Sequence, residues 1–419
     1  MKKEKKDLIE SPPIEKLNID TKEKAEATTA IDENLQSPDL QTKTNSLLSK
    51  CLNTHSLLLS ISNSFIKFFI PLIILSNSTY INTVAYLLVN MLSIAMMNLI
   101  LYKLIKNHPI VCIALYFVCI LSSYLTLSLA PLHLWIILII AFLNGTSNAL
   151  YSAPIQNIIT NNKKTSNFAF FNIFKTIGVI IMLLINGYIL NMKESFSVWL
   201  TSLISGIFFI LSYIPFILIR NKLQVQKNNG ETLKDAFIKL KKYHTFNSLF
   251  GIQDFIVALI IPIFLMVSHN MSMSTLVYIT VIINIVRILI QLLANYMYQH
   301  NKSIYAIGIG CLLFGISCLI ESIVSNHIVL YVFAVIPSIT FPLFFLTTFK
   351  EYSVVSENYS CEASVLREFF VHIFRVILII PMFFIDNLRF ILYIGIVVAI
   401  LMFVFAFPFF NKKLFRRKV

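Results

Sequence analysis

Twelve apolar runs of spanning length dominate this chain, near residues 55–76, 82–105, 109–129, 132–158, 167–190, 196–219, 246–268, 273–298, 303–324, 327–349, 364–384 and 388–410. As helices rising about 1.5 Å per residue, such runs cross a hydrocarbon core of about 30 Å. Lipid offers no partner to a backbone polar group, so each run is predicted to close its own hydrogen bonds as an α-helix. With 57% hydrophobic and only 13% charged residues over 419 positions, a soluble enzyme is excluded.

The net charge of +14 does not point to nucleic acid, because the basic residues lie in short loops beside the apolar runs. With the amino terminus inside and the tail left out, one side collects 18 Lys and Arg and the other only Lys193 and Arg389. Both termini are therefore expected in the cytoplasm of a cell carrying this protein in its inner membrane. Residues 1–50 hold nine Lys and ten Asp or Glu and few large apolar side chains, which predicts a disordered cytoplasmic tail. No cleavable leader is visible. Residues 411–419 form a basic tail. The six cysteines include no C-x-x-C pair, and four fall inside apolar runs, where they read as small packing residues.

The halves of the chain match each other in order. Asn63 and Pro71 correspond to Asp254 and Pro262 at an offset of 191, and Cys112 and Cys119 to Cys311 and Cys318 at 199. FNIFK, ending at Lys175, corresponds to VHIFR, ending at Arg375, at 200; Pro215-Phe216 corresponds to Pro408-Phe409 at 193. An ordered series with slowly drifting offsets predicts two six-helix bundles, 51–220 and 246–410, in parallel orientation. Residues 221–245 form the cytoplasmic loop between them, carrying the amphipathic stretch ETLKDAFIKLKKY, expected to lie in the membrane interface.

Charge inside an apolar run needs a reason, since an ion facing lipid at mid-depth costs about 2.5–3.5 kcal/mol on insertion scales. Six ionisable residues other than His lie well inside the runs: Lys67, Lys175, Asp254, Arg287, Glu368 and Arg375. The run Ser364–Phe384 sets Glu368, His372 and Arg375 on one helical face. Glu321, near the end of the ninth run, is expected to reach water. Polar neighbours extend the charges into stripes: Asn63 with Lys67, Asn172 with Lys175, Asn284 with Arg287 and Gln291, and Asn144 with Tyr151. Such residues either face a solute or join helices at about 0.6–2 kcal/mol per contact. Four cations against two acids favour an anionic or zwitterionic solute, with Arg able to grip carboxylate or phosphate by both arms. Two internal pairings stay open, Asp254 with Arg287 and Glu368 with Arg375 or Arg367. Asp254 and Glu368 are the candidates for proton coupling, because desolvation and neighbouring cations act on them in opposite senses.

Twelve spans, the six-plus-six repeat, a basic central loop and cytoplasmic termini resemble the major facilitator superfamily over roughly residues 55–410. REFFVHIFR, Arg367 to Arg375, is similar to an eleventh-helix pattern of bacterial members, with His372 where Asn is usual and Phe374 where Gly is usual. The family's loop after the second helix carries Gly, Asp and Arg; here YKLIKNHP has neither Gly nor acid, leaving open the gating contact that loop makes. The fifth helix lacks the Pro of drug antiporters.

The resemblance implies alternating access of two bundles around a midplane site. The substrate-binding candidates are Asn63, Lys67, Asn144, Tyr151, Asn172, Lys175, Asn284, Arg287, Gln291, His372 and Arg375, with Asp254 and Glu368 for the proton. The expected partners are a small solute and the bilayer, for a monomer without metal or cofactor; no phosphate loop, dinucleotide fingerprint or H-E-x-x-H is present. The competing readings are a transport-dead relative acting as sensor or accessory protein, an efflux pump for drugs or peptides, and a membrane-embedded enzyme.

Overall fold

The computed structural model describes residues 38–161, 168–189, 194–219, 232–300, 302–355, 359–385 and 387–416, and among these every regular element is a helix. In chain order they are α1 (Pro38–Ser64), α2 (Ile70–Asn77), α3 (Tyr80–Ile100), α4 (Tyr102–Asn107), α5 (Pro109–Leu129), α6 (Leu134–Asn161), α7 (Phe168–Ile189) and α8 (Glu194–Ile219). There follow α9 (Leu233–Phe255), α10 (Ile261–His269), α11 (Met273–Gln299), α12 (Ser303–Ile323), α13 (His327–Val355), α14 (Ser360–Ile379) and α15 (Arg389–Arg416). Among the described residues nine helical stretches are long and apolar enough to cross a membrane. α14 is not one of them, because Glu362, Arg367, Glu368 and Arg375 interrupt its apolar sequence.

Two expectations about boundaries are corrected. Helix α1 begins at Pro38, so the last part of the tail expected to be disordered is helical; residues 1–37 lie outside the described residues. The amphipathic stretch of the central loop does not form a separate interfacial helix. It is the start of α9, opened by a capping box between Thr232 and Asp235 and continuous with the seventh span. Its apolar face, Ala236 and Leu240 with Leu233 and Tyr243, packs on Tyr352, Tyr359, Ala363, Leu366 and Phe370 at the junction of α13 and α14. A helix with such a partner already has its apolar stripe covered.

The repeat has a structural mark that the residue matches foreshadow. A π turn at Phe65–Phe69 joins α1 to α2, and another at Ile256–Ile260 joins α9 to α10. The amide of Ile70 donates to Phe65 and that of Ile261 to Ile256, a five-residue reach at equivalent positions of the two halves. Each is followed by its proline, Pro71 or Pro262. A proline inside a helix lacks an N–H and crowds the carbonyl four residues back, and one wider turn before it relieves both problems.

Helices pack within the halves as α3 on α6, α5 on α6, α9 on α14, α12 on α13 and on α15, and α11 on α13. Across the halves α14 meets α3 and α6, and α7 meets α11. The outer surface is apolar; Leu129, Trp135, Tyr188 and Phe384 are all more than 70% exposed, which suits lipid and not water. Three of the ten glycines mark the closest crossings. A Cβ on Gly145 would stand 2.5 Å from the Asn90 carbonyl, one on Gly178 2.4 Å from that of Leu57, and one on Gly251 2.8 Å from that of Val371. Gly251→Ala is expected to lower stability by about 1–3 kcal/mol through overpacking. Gly206→Ala, where an added Cβ meets nothing within 4 Å, should be silent. Thermal unfolding of the two variants in detergent checks the contrast.

Candidate functional site

The close crossing at Gly251 brings α9 against the charged face of α14. Without a side chain at Gly251, its carbonyl accepts from Arg375 Nε at 2.9 Å, while Arg375 Nη2 donates to Asp254 Oδ2 at 2.7 Å. The guanidinium also lies 5.9 Å from the centre of the Phe255 ring, so three successive features of one helix hold it. Both side chains of the ion pair are mostly buried, at 12% and 25% exposed. Away from water such a charge is stable only when paired and hydrogen-bonded, and here both conditions are met.

Two turns earlier on α14, Glu368 is buried and takes its own partners. Its Oε1 accepts from Arg367 Nη1 at 3.2 Å and from Gln156 Nε2 of α6 at 2.8 Å, so this acid ties the two halves together. Between the two pairs lies His372. Its Nδ1 is 2.8 Å from the carbonyl of Glu368, which can only accept, so Nδ1 carries the proton. That leaves the Nε2 lone pair facing Arg375 Nη1 at 3.4 Å. The tautomer is set by these neighbours: a neutral imidazole bridges the two ion pairs.

Of the pairings left open by the sequence, Glu368–Arg367 is present. The Arg375 carboxylate partner is Asp254 and not Glu368. Arg287 of α11 lies within electrostatic reach of the same Asp254.

A second contact joins the halves at the end of the molecule that carries α4. Lys106 Nζ lies 2.6 Å from Glu362 Oε1, and Tyr102 donates to the same oxygen at 2.8 Å. The short loop after the second span thus makes a cross-half contact without the Gly and acid usual there, with the cation on the loop and the acid on α14.

The remaining candidates are mostly engaged in joining helices. Asn63 Oδ1 accepts from Tyr116 at 2.9 Å, and Tyr151 meets His55 Nε2 at 3.0 Å while His55 Nδ1 donates to the Ser212 carbonyl at 2.7 Å. Asn144 Nδ2 donates to Tyr86 at 3.1 Å, a link between α6 and α3. Asn284 Nδ2 bonds its own helix at Thr280, and Gln291 Nε2 reaches Thr176 of α7 at 3.4 Å. Asn172 is half-buried and Lys175 exposed on α7. Lys175 thus differs from its repeat partner Arg375, whose described contacts all run to α9 and α14. The side chain of Lys67 lies outside the described residues.

Glu321 does not reach water as expected: it is fully buried, because α13 and α15 cover that end of α12. Sequence reasoning missed Gln156, Glu362, Tyr102 and His55. A lone glutamine or tyrosine near a helix end carries no signal until its partner's position is known. Among the described residues, no three His, Cys, Asp or Glu come together as a metal would require.

No family profile and no curated protein sequence matches the chain. Its fold does match solved structures. A bacterial homologue of the iron transporter ferroportin, outward-facing with soaked iron, superposes with a TM-score of 0.66 at 12% identity, over 86% of this chain and 98% of that one. A bacterial homologue of the human lysosomal transporter Spinster, inward-facing and unoccupied, gives 0.65 at 12% identity over 88% and 97%. The nucleoside transporter NupG gives 0.59 at 13% over 87% and 98%. At these identities the likeness establishes architecture alone: the all-helical fold that these solved transporters share.

Proposed function

We propose that this chain is a secondary active transporter, not an enzyme, moving a small anionic or zwitterionic solute by alternating access of its two halves. The observation that carries the reading is the Arg375 cluster: a guanidinium deep in an apolar bundle, held by Asp254 and Gly251, two helical turns from a carboxylate bonded across the halves. A purely structural bundle has no need of so much buried charge, whose net stabilisation over apolar packing is small or negative. An anionic group entering between the halves can exchange with Asp254 for Arg375, and Arg287 and Lys175 add further positive charge.

Transport by such a fold needs an end that opens and closes. The charge of the basic loops supports a cytoplasmic position for α4 in an inner membrane, and on that reading Lys106–Glu362 and Gln156–Glu368 together act as the cytoplasmic latch. Coupling to protons fits His372 best. Glu368 has the donors an ionised carboxylate needs, whereas a second proton on His372 at Nε2 would set two cations face to face at the Arg375 contact. The groups facing that imidazole are Glu368 and Arg375 of its own helix, with Asp254 of α9 behind the arginine.

Purified protein screened by thermal shift against anionic, zwitterionic and cationic metabolites should be stabilised by the first two classes and lose that response in Arg375→Ala. Stabilisation by cations alone would overturn the charge argument. In reconstituted vesicles, proton-driven flux should fall at least tenfold in His372→Gln while solute exchange persists; driven flux intact in both His372→Gln and Glu368→Gln sinks the coupling scheme.

The latch has its own test. Lys106→Glu and Glu362→Lys should each impair transport several-fold, and the double reversal should recover most of it. A double variant that folds but stays as inactive as the singles removes the latch.

A further inference from the structure

Outside the Arg375 cluster, the most unusual buried group is Glu321 near the end of α12. It is 0% exposed, as are Ser317 and Cys318 one turn before it, and α13 and α15 cover it. The Cys318 sulfur presses on Gly395 of α15, 2.8 Å from where a Cβ would stand. Ser317 supplies the decisive geometry. Its hydroxyl is 2.6 Å from the carbonyl of Phe333 on α13 and 3.1 Å from Glu321 Oε1.

A serine hydroxyl has a single hydrogen, and a carbonyl can only accept. The shorter contact therefore takes that hydrogen, and the longer one is a hydrogen bond only if the proton comes from the carboxyl group. The other oxygen agrees. Glu321 Oε2 is buried with no hydrogen-bond partner, a tolerable loss for the carbonyl oxygen of a neutral acid and a severe one for an anion.

Among the described residues the neighbouring helices bring no counter-charge. On α13, His327 meets His269 edge-on with ring centres 5.8 Å apart, and Tyr331 lies tilted beside His327. On α15, Arg389 acts on His269 and Tyr393 is exposed. Among the described residues none of these makes an ion pair or hydrogen bond with Glu321, and the one titratable side chain found to interact with it is the Cys318 thiol of its own helix.

We infer that Glu321 is a proton-binding site: a neutral carboxylic acid whose O–H donates to Ser317 and whose proton locks α12 to α13 through the Phe333 carbonyl. It is distinct from the Arg375 cluster and independent of which solute the protein carries.

Infrared difference spectroscopy of the full chain in lipid vesicles at neutral pH tests this. Subtracting Glu321→Gln from the unaltered protein should leave the carbonyl stretch of a protonated carboxyl group, and Ser317→Ala should shift that band by removing its acceptor. The glutamine amide can make the same donation in nearly the same shape, so Glu321→Gln should keep the thermal midpoint while Glu321→Ala lowers it. Absence of a protonated-carboxyl band from the difference overturns the proposal, as does a Glu321→Gln loss of stability equal to that of Glu321→Ala. Should Glu321→Gln not fold, that loss already counts against the neutral acid. The Ser317→Ala spectrum then stands as the independent readout, and an unshifted band there also refutes it.

Discussion

The ion pair between Arg375 and Asp254 constrains the rest of the site, because in an apolar bundle neither charge survives without the other. Removing one partner of a buried pair typically costs about 3–5 kcal/mol, most of it the penalty of leaving the other charge uncompensated. The pair in turn depends on Gly251. Only a residue without a side chain lets α14 come close enough for its arginine to reach both the α9 backbone and the carboxylate. A crossing, an ion pair and a helix register are thus fixed by one position, and His372 and Glu368 follow because they lie on the same face of α14.

The two halves share a backbone plan but solve their polar problem differently. In the first, Tyr116, Tyr124, Tyr151, His55 and Asn63 satisfy one another as neutral groups, with Ser62 and the Ser212 carbonyl as further partners. In the second, the equivalent of Asn63 is Asp254, and the equivalent of Lys175 is the arginine that pairs with it. A neutral hydrogen bond joins helices with little dependence on what else enters the cavity. An ion pair can exchange with a charged group, so under the proposed function the second half would be the seat of recognition and the first a stiffer wall.

Much of this was legible in the sequence, for identifiable reasons. Apolar run length marked an all-helical chain with many spans, and the Asn63–Pro71 and Asp254–Pro262 series marked the repeat, since both rest on local constraints: the π turns sit where those prolines require relief. The residues in the Arg375 cluster were also visible, because a charge in an apolar run stands out. Their pairing was visible only in part: Glu368–Arg367 was among the open pairings and is present, while Arg375–Asp254 was not among them. Sequence spacing favoured partners on the same helix, whereas Arg375 found Asp254 on another, and Gln156 and Glu362 acquire meaning only from the packing of α6 and α4 against α14. Glu321 was misjudged for a related reason: nearness to a helix end suggests water, but burial is decided by which neighbours cover that end.

The contact at α4 joins the two halves through few residues. The proposed alternating access would require there an attraction between the short loop after the second span and the start of the eleventh helix, strong enough to hold the halves together and weak enough to break. Here Lys106 and Tyr102 converge on Glu362, with Lys106 17% exposed and Glu362 almost fully covered. A pair at that half-wet boundary lies between the extremes of an exposed bridge, worth about 0–1 kcal/mol, and a buried one whose rupture costs several times more. Glu362 also sits in the first turn of α14, where the partial positive charge of the helix amino terminus holds an acid without help from the loop. If the loop withdraws, the helix keeps its acid stabilised, so breaking this contact costs the loop interaction without stranding a buried charge.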